Sequence, residues 1–125
     1  MLHSVLIVDD TEFMRFVLRE IMSELPIGMI AEAGGVEEAV DLAEALGPDL
    51  AVVDFTDPDL DAGTVIAELR SVQPGLRVVA IVPCDDAPAA AAAQACGALA
   101  LVEKPFDPEA VAAVLRPLVE GVPVG

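Results

Sequence analysis

The sequence predicts a three-layer α/β domain, a parallel five-stranded sheet with helices on both faces. Three observations carry that expectation. Apolar runs such as Val5-Leu-Ile-Val8 and Leu50-Ala-Val-Val53 are short, continuous and aliphatic, as in strands covered on both faces. Segments of helical periodicity separate these runs. The chain of 125 residues suits one domain, and a domain of that size buries roughly 65% of its unfolded surface.

Ser4–Asp9 reads as the first strand. Helical periodicity follows from Thr11 to Glu24, where Phe13, Phe16, Val17, Ile21 and Leu25 alternate with charged positions, until Pro26 and Gly28 break it. Met29–Ala33 is a short second strand. Gly34-Gly35 introduces a helix from Val36 to Leu46, ended by Gly47-Pro48, and Leu50–Asp54 is the third strand. A polar loop from Phe55 to Ala62 carries Asp57, Pro58, Asp59 and Asp61. A helix from about Gly63 to Val72 stops at Pro74-Gly75, and Arg77–Val82 is the fourth strand. Asp85-Asp86 offers an N-cap, with Pro88 tolerated in the first turn of a helix over Ala89–Cys96 that ends at Gly97. Leu99–Val102 is the fifth strand, and Asp107 caps a last helix reaching about Val119.

The pattern is (βα) repeated five times, and right-handed crossovers between hydrophobic strands imply helices on both faces. One alternation of this length suits the flavodoxin-like order 2-1-3-4-5, in which strands one and three are neighbours at the switch point. The chain is expected to be a single domain over 1–125, with its core over about 3–119 and a tail over 120–125.

Hydrophobic residues make up 55% of the chain, with no Trp or Tyr, so the core must be aliphatic. The formal net charge is −16, from 22 acidic and six basic residues. That balance repels a nucleic-acid backbone and excludes nucleic-acid binding by this domain; most of the surplus reads as solvated surface. Cys84 and Cys96 lack metal-ligand spacing and are too few for a disulfide framework, so reduced thiols in a cytoplasmic protein are expected. The longest uncharged stretch, Ala87 to Val102, contains Pro88, Gln94 and Gly97; it falls short of the ~18–20 apolar residues of a membrane span. Met1–Ser4 runs directly into a strand pattern, without the form of a signal peptide.

The chemistry-bearing residues lie at strand ends. Asp9 and Asp10 close the first strand, Asp54 closes the third, and Lys104, the only lysine, follows the fifth. In an open α/β sheet those ends form the ligand crevice. Singly, each residue has an ordinary reading: Asp10 or Thr11 as a helix N-cap, Asp54 as a turn residue, Lys104 as a loop charge. Jointly, three carboxylates and one ammonium at one rim point elsewhere. Such carboxylates repel one another unless a cation intervenes. Mg²⁺ suits them, since it takes about six oxygen ligands and shares itself with phosphate. One carboxylate then becomes a nucleophile toward a phosphoryl donor, with the lysine as a point charge for a phosphate oxygen.

These residues carry a resemblance. Leu6-Ile-Val-Asp-Asp10, Val52-Val-Asp54 with Pro58 after it, Gly97-Ala98 and Lys104-Pro105-Phe106 are similar to the motifs of response regulator receiver domains of two-component signalling, over about residues 3 to 119. The strand order 2-1-3-4-5 is taken from that resemblance. The resemblance implies Asp54 as phosphoacceptor, Asp10 as a direct Mg²⁺ ligand, Asp9 as a largely water-mediated one, and the Thr56 carbonyl as a further ligand. It implies Lys104 beside the phosphoryl group, a cis Lys104–Pro105 peptide, and a phosphohistidine donor on a sensor histidine kinase or phosphotransfer protein. The domain would assist its own phosphorylation rather than act as an enzyme. Its downstream partner is a protein or output domain outside this chain, and a homodimer is compatible.

Two positions depart from the family pattern. Val82, followed by Pro83, stands where a Ser or Thr hydroxyl is usual, and Leu101 where an aromatic ring is usual. A lost hydrogen bond to a charged acceptor forfeits about 1.5–3 kcal/mol. Asp57 replaces a usually apolar residue, and the usual Asp-Gly pair is displaced to Asp61-Ala62-Gly63. The expectation is an atypical receiver that accepts phosphate at Asp54 but transmits it weakly or unconventionally. The alternative is a degenerate receiver working as a phosphorylation-independent interaction module. An aspartate-nucleophile phosphohydrolase is disfavoured, because Asp9-Asp10-Thr11 lacks the Asp-x-Asp spacing. A nucleotide-binding protein is weaker still, because no Gly-rich loop follows the first strand. His3 opens the first strand, away from the site, as a surface or strand-edge residue.

Overall fold

Alternation of aliphatic side chains along each strand decides how the layers assemble. In the computed structural model, which describes residues 4–56, 61–105 and 107–119, these residues form β1 (Ser4–Val8), α1 (Glu12–Met22), β2 (Met29–Ala33), α2 (Val36–Leu46), β3 (Leu50–Asp54), α3 (Ala62–Val72), β4 (Arg77–Pro83), α4 (Ala87–Ala95), β5 (Ala100–Lys104) and α5 (Pro108–Val119). The strands make one parallel sheet in the order β2-β1-β3-β4-β5, as expected.

Val5, Ile7, Val52, Val79 and Ile81 point to one face and pack with Leu18, Ile21 and Met22 of α1 and Val111, Leu115 and Val119 of α5. Leu6, Val8, Ala51, Val53 and Val78 point to the other, against Ala39 and Ala43 of α2 and Val65, Ile66 and Leu69 of α3. Two buried faces explain why these strands read as unbroken apolar runs. The Ala-rich α4 contributes little: Ala93 is its buried residue, packed with Ala80 and Val82.

Several boundaries shift for identifiable reasons. α3 starts at Ala62, because Asp61 caps it by accepting from the Thr64 N–H at 3.1 Å. The expected cap residues Asp86 and Asp107 accept from Ala89 N at 3.0 Å and Ala110 N at 2.7 Å. Gly97, with φ of +86°, turns the chain after α4. β5 runs two residues later than expected at its C-terminal end. Its pairing with β4, from Val79 opposite Ala100 to Pro83 opposite Lys104, draws Lys104 into the strand itself. In α1 the buried apolar residues are Leu18, Ile21 and Met22, whereas Phe13 and Phe16 are 69% and 57% exposed. Among the described residues, no helix is long and apolar enough to cross a membrane.

Candidate functional site

The site lies along the C-terminal edge of the sheet, where β1, β3 and β5 end side by side with β4. Asp9 is the first residue past β1, and its N–H still donates to the Ala33 carbonyl at 3.1 Å. Its side chain is fully buried, and Oδ1 accepts from the Thr11 N–H at 2.8 Å. The other oxygen, Oδ2, is buried and has no hydrogen-bond partner among the described residues. Asp54 ends β3 and is also buried; its Oδ1 accepts from the Thr56 N–H at 2.7 Å. Lys104 ends β5, with Nζ 3.7 Å from Asp54 Oδ2 and donating to Thr56 Oγ1 at 2.9 Å. The Lys104–Pro105 peptide is cis.

Burial pushes the Asp9 carboxyl up to about 6. The Thr11 N–H opposes that rise, the neighbouring Asp54 adds to it, and Lys104 offsets part of it. Two adjacent buried carboxylates, one oxygen unpartnered, form a concentration of negative charge that a hard cation relieves. Asp9 and Asp54 therefore fit Mg²⁺, which binds through one or two carboxylates and keeps several waters.

Not every predicted residue joins this pair. Asp10 is exposed, and its Oδ1 accepts from the Thr11 hydroxyl at 3.3 Å. Among the described residues, no three acidic, histidine or cysteine side chains stand close enough to form a ready-made metal cage. Of the three carboxylates expected at this rim, Asp9 and Asp54 are buried and Asp10 is exposed. Asp57, Pro58, Phe106 and His3 lie outside the described residues.

Val82 is buried and faces α4 with Ala80 and Ala93, and Leu101 packs against the same cluster. Both positions are aliphatic contacts. The next residue, Pro83, has no N–H, and the Cys84 N–H is spent on the Lys104 carbonyl at 2.8 Å.

Sequence reasoning missed a clamp beneath the site. Arg15 donates through Nη1 to the Asp9 carbonyl and through Nε to Glu32 at 3.3 Å. Arg19 donates to the other Glu32 oxygen at 2.6 Å and to the Ile30 carbonyl at 2.7 Å. The available signal was a pair of arginines four residues apart in an acidic chain, with a lone Glu32 inside the apolar β2. Beside the site, Phe13, Met14, Val17, Thr56, Pro83, Lys104 and Pro105 line an open groove of about 460 Å³.

Comparison with known proteins gives concordant results. The family profile described as the response regulator receiver domain matches residues 5–116. The chain is 31% identical over 112 residues to the chemotaxis protein CheY of Thermotoga maritima, covering 90% of this chain and 93% of that protein. It is 30% identical over 111 residues to the chemotaxis protein CheY of Bacillus subtilis, covering 89% and 92%. Among solved structures, the REC domain of AraT, a response regulator from Geobacillus stearothermophilus, superposes with a TM-score of 0.82 at 30% identity, covering 96% of this chain and 95% of that one.

Proposed function

This chain belongs to the response regulator receiver domain family, and from that premise we propose that it takes a phosphoryl group onto Asp54 from a phosphohistidine of a sensor kinase or phosphotransfer protein. The observation that carries the reading is the buried Asp54 carboxylate with Lys104 Nζ at 3.7 Å and the unpartnered, buried Asp9 oxygen beside it.

In the proposed transfer an Asp54 carboxylate oxygen attacks phosphorus, the P–N bond to the donor imidazole breaks, and the imidazole leaves with that electron pair. Lys104 offsets charge on a phosphoryl oxygen and, through Thr56, is held at the Asp54 side of the cleft. Asp9, Asp10, Asp54 and the Thr56 carbonyl would hold Mg²⁺, which supplies charge neutralisation when bound. Burial of Asp9 and Asp54 keeps the reacting carboxylate out of bulk water, where these interactions gain strength.

The aliphatic packing of Val82 and Leu101 supports the further proposal that phosphorylation is reported weakly through β4 and β5. Neither side chain has a polar group to exchange between buried and exposed positions. The same packing favours a second reading, a degenerate receiver whose α4–β5 face works independently of phosphate.

Titration of the protein with Mg²⁺ by calorimetry, followed by a small acyl-phosphate donor, separates the two. The phosphoacceptor reading expects Mg²⁺ binding that disappears in Asp54→Ala and a phosphoryl adduct in the wild type. A wild-type protein that neither binds Mg²⁺ nor forms an adduct belongs to the second reading.

A further inference from the structure

We infer that the Thr56 side-chain hydroxyl donates a hydrogen bond to the phosphoryl group on Asp54, in place of the donors that β4 lacks. The inference rests on the reading of Asp54 as phosphoacceptor and concerns what surrounds the group once it arrives.

A phosphoryl group needs donors for three oxygens. The β4 side of this cleft is poor in them. Val82 has no polar atom and points into the aliphatic cluster under α4. Pro83 has no N–H. The Cys84 N–H donates to Lys104 O at 2.8 Å, and the Phe55 N–H to Ile81 O at 2.7 Å, so both are held by the sheet edge. Thr11, the hydroxyl residue after Asp10, directs its Oγ1 to Asp10 Oδ1 at 3.3 Å.

Thr56 stands differently. Its N–H donates to Asp54 Oδ1 at 2.7 Å, which folds the residue back over the acceptor carboxylate. Its Oγ1 accepts from Lys104 Nζ at 2.9 Å, and that same Nζ is 3.7 Å from Asp54 Oδ2. A hydroxyl carries one donor and two acceptor positions. Because the ammonium occupies an acceptor position, the hydroxyl proton is left for another partner. Polarisation by the ammonium makes that proton a stronger donor. Thr56 also lines the open groove with Pro83 and Lys104, so its side chain borders the space through which a donor approaches.

The test measures the dissociation constant of beryllofluoride, a phosphoryl mimic, at saturating Mg²⁺, with backbone amide NMR shifts as the readout and as a check of folding. Thr56→Val keeps the shape and removes the hydroxyl; Thr56→Ser keeps the hydroxyl. The inference expects Thr56→Val to bind about tenfold more weakly, the loss typical of a hydrogen bond to a charged acceptor, and Thr56→Ser to stay within about twofold of wild type. It also expects Val82→Thr to restore affinity in the Thr56→Val background, and to gain less in the wild type. Equal binding by wild type and Thr56→Val overturns the inference, as does equal weakening in Thr56→Val and Thr56→Ser. Failure of Val82→Thr to restore a weakened Thr56→Val overturns it too, since Thr56 would then act only by placing Lys104. A wild-type protein that does not bind the mimic refutes the phosphoacceptor reading itself, a result distinct from the others.

Discussion

Arg15 Nη1 donates to the backbone carbonyl oxygen of Asp9, and so ties α1 to the turn that carries the buried carboxylate. Glu32, bonded to both Arg15 and Arg19, keeps these guanidiniums paired next to a site proposed to hold a cation. Arg15→Met leaves the carbonyl without that donor, and the expected destabilisation is about 1–3 kcal/mol. Urea denaturation measures it as a lower midpoint. Calorimetry is expected to show weaker Mg²⁺ binding in the same variant, because the Asp9-Asp10 turn loses its anchor.

The raised Asp9 carboxyl sets a pH dependence with a definite sign. Its folded value of about 6 lies above the ordinary 3.8, so the folded protein binds the extra proton between those values. The resulting stability is fully present below the ordinary value and is lost as pH rises through about 6. Asp9→Asn removes the titration. In metal-free buffer the variant is expected to gain stability over wild type on going from acid to neutral pH, as measured by paired urea curves. Mg²⁺ requires the ionised form, so its affinity for the wild type is expected to fall as pH drops below about 6.

Val82→Thr places a hydroxyl among Ala80, Ala93 and Leu101. Burial of an unpartnered hydroxyl costs about 1–3 kcal/mol, so the unphosphorylated variant is expected to melt lower. On phosphorylation the hydroxyl gains a partner, and the adduct is expected to persist longer than in wild type. An unchanged lifetime would place signal transfer away from β4.

Gly97 adopts φ of +86°, and a Cβ there would stand 2.7 Å from Arg70 Nη1. That guanidinium donates to the Cys96 and Gly97 carbonyls and ties α3 to the end of α4. Gly97→Ala therefore combines backbone strain with displacement of the clamp, at an expected cost of about 1–3 kcal/mol. A thermal melt of the single variant checks this directly.

Elements with two buried faces or a local cap were legible in the sequence. Val5–Val8 and Leu50–Val53 announced strands because both faces are covered, and Asp86 and Asp107 announced helix starts because a cap bonds within three residues. Asp9, Asp54 and Lys104 were legible as neighbours in a candidate site because each closes a strand and the topology gathers strand ends. What local pattern cannot encode is which side chains meet across elements. Phe13 and Phe16 fit an apolar helical stripe, yet they lie outward from the packed face of α1. The Arg15–Glu32 contact exists only because β2 lies beside α1, and the Thr56 hydroxyl meets Lys104 only because β5 pairs as far as Pro83. The exposure of Asp10 beside the buried Asp9 was likewise hidden, because adjacency in sequence does not say which carboxylate turns inward.

The central claim is that Asp54 forms an acyl phosphate, and borohydride trapping tests it most directly. Wild-type protein and Asp54→Asn are incubated with Mg²⁺ and a small acyl-phosphate donor, reduced, digested and sequenced by mass spectrometry. The account predicts homoserine at position 54 in the wild type, dependent on Mg²⁺, and none in Asp54→Asn. An unreduced Asp54 in the wild type, or homoserine at another aspartate, would contradict it.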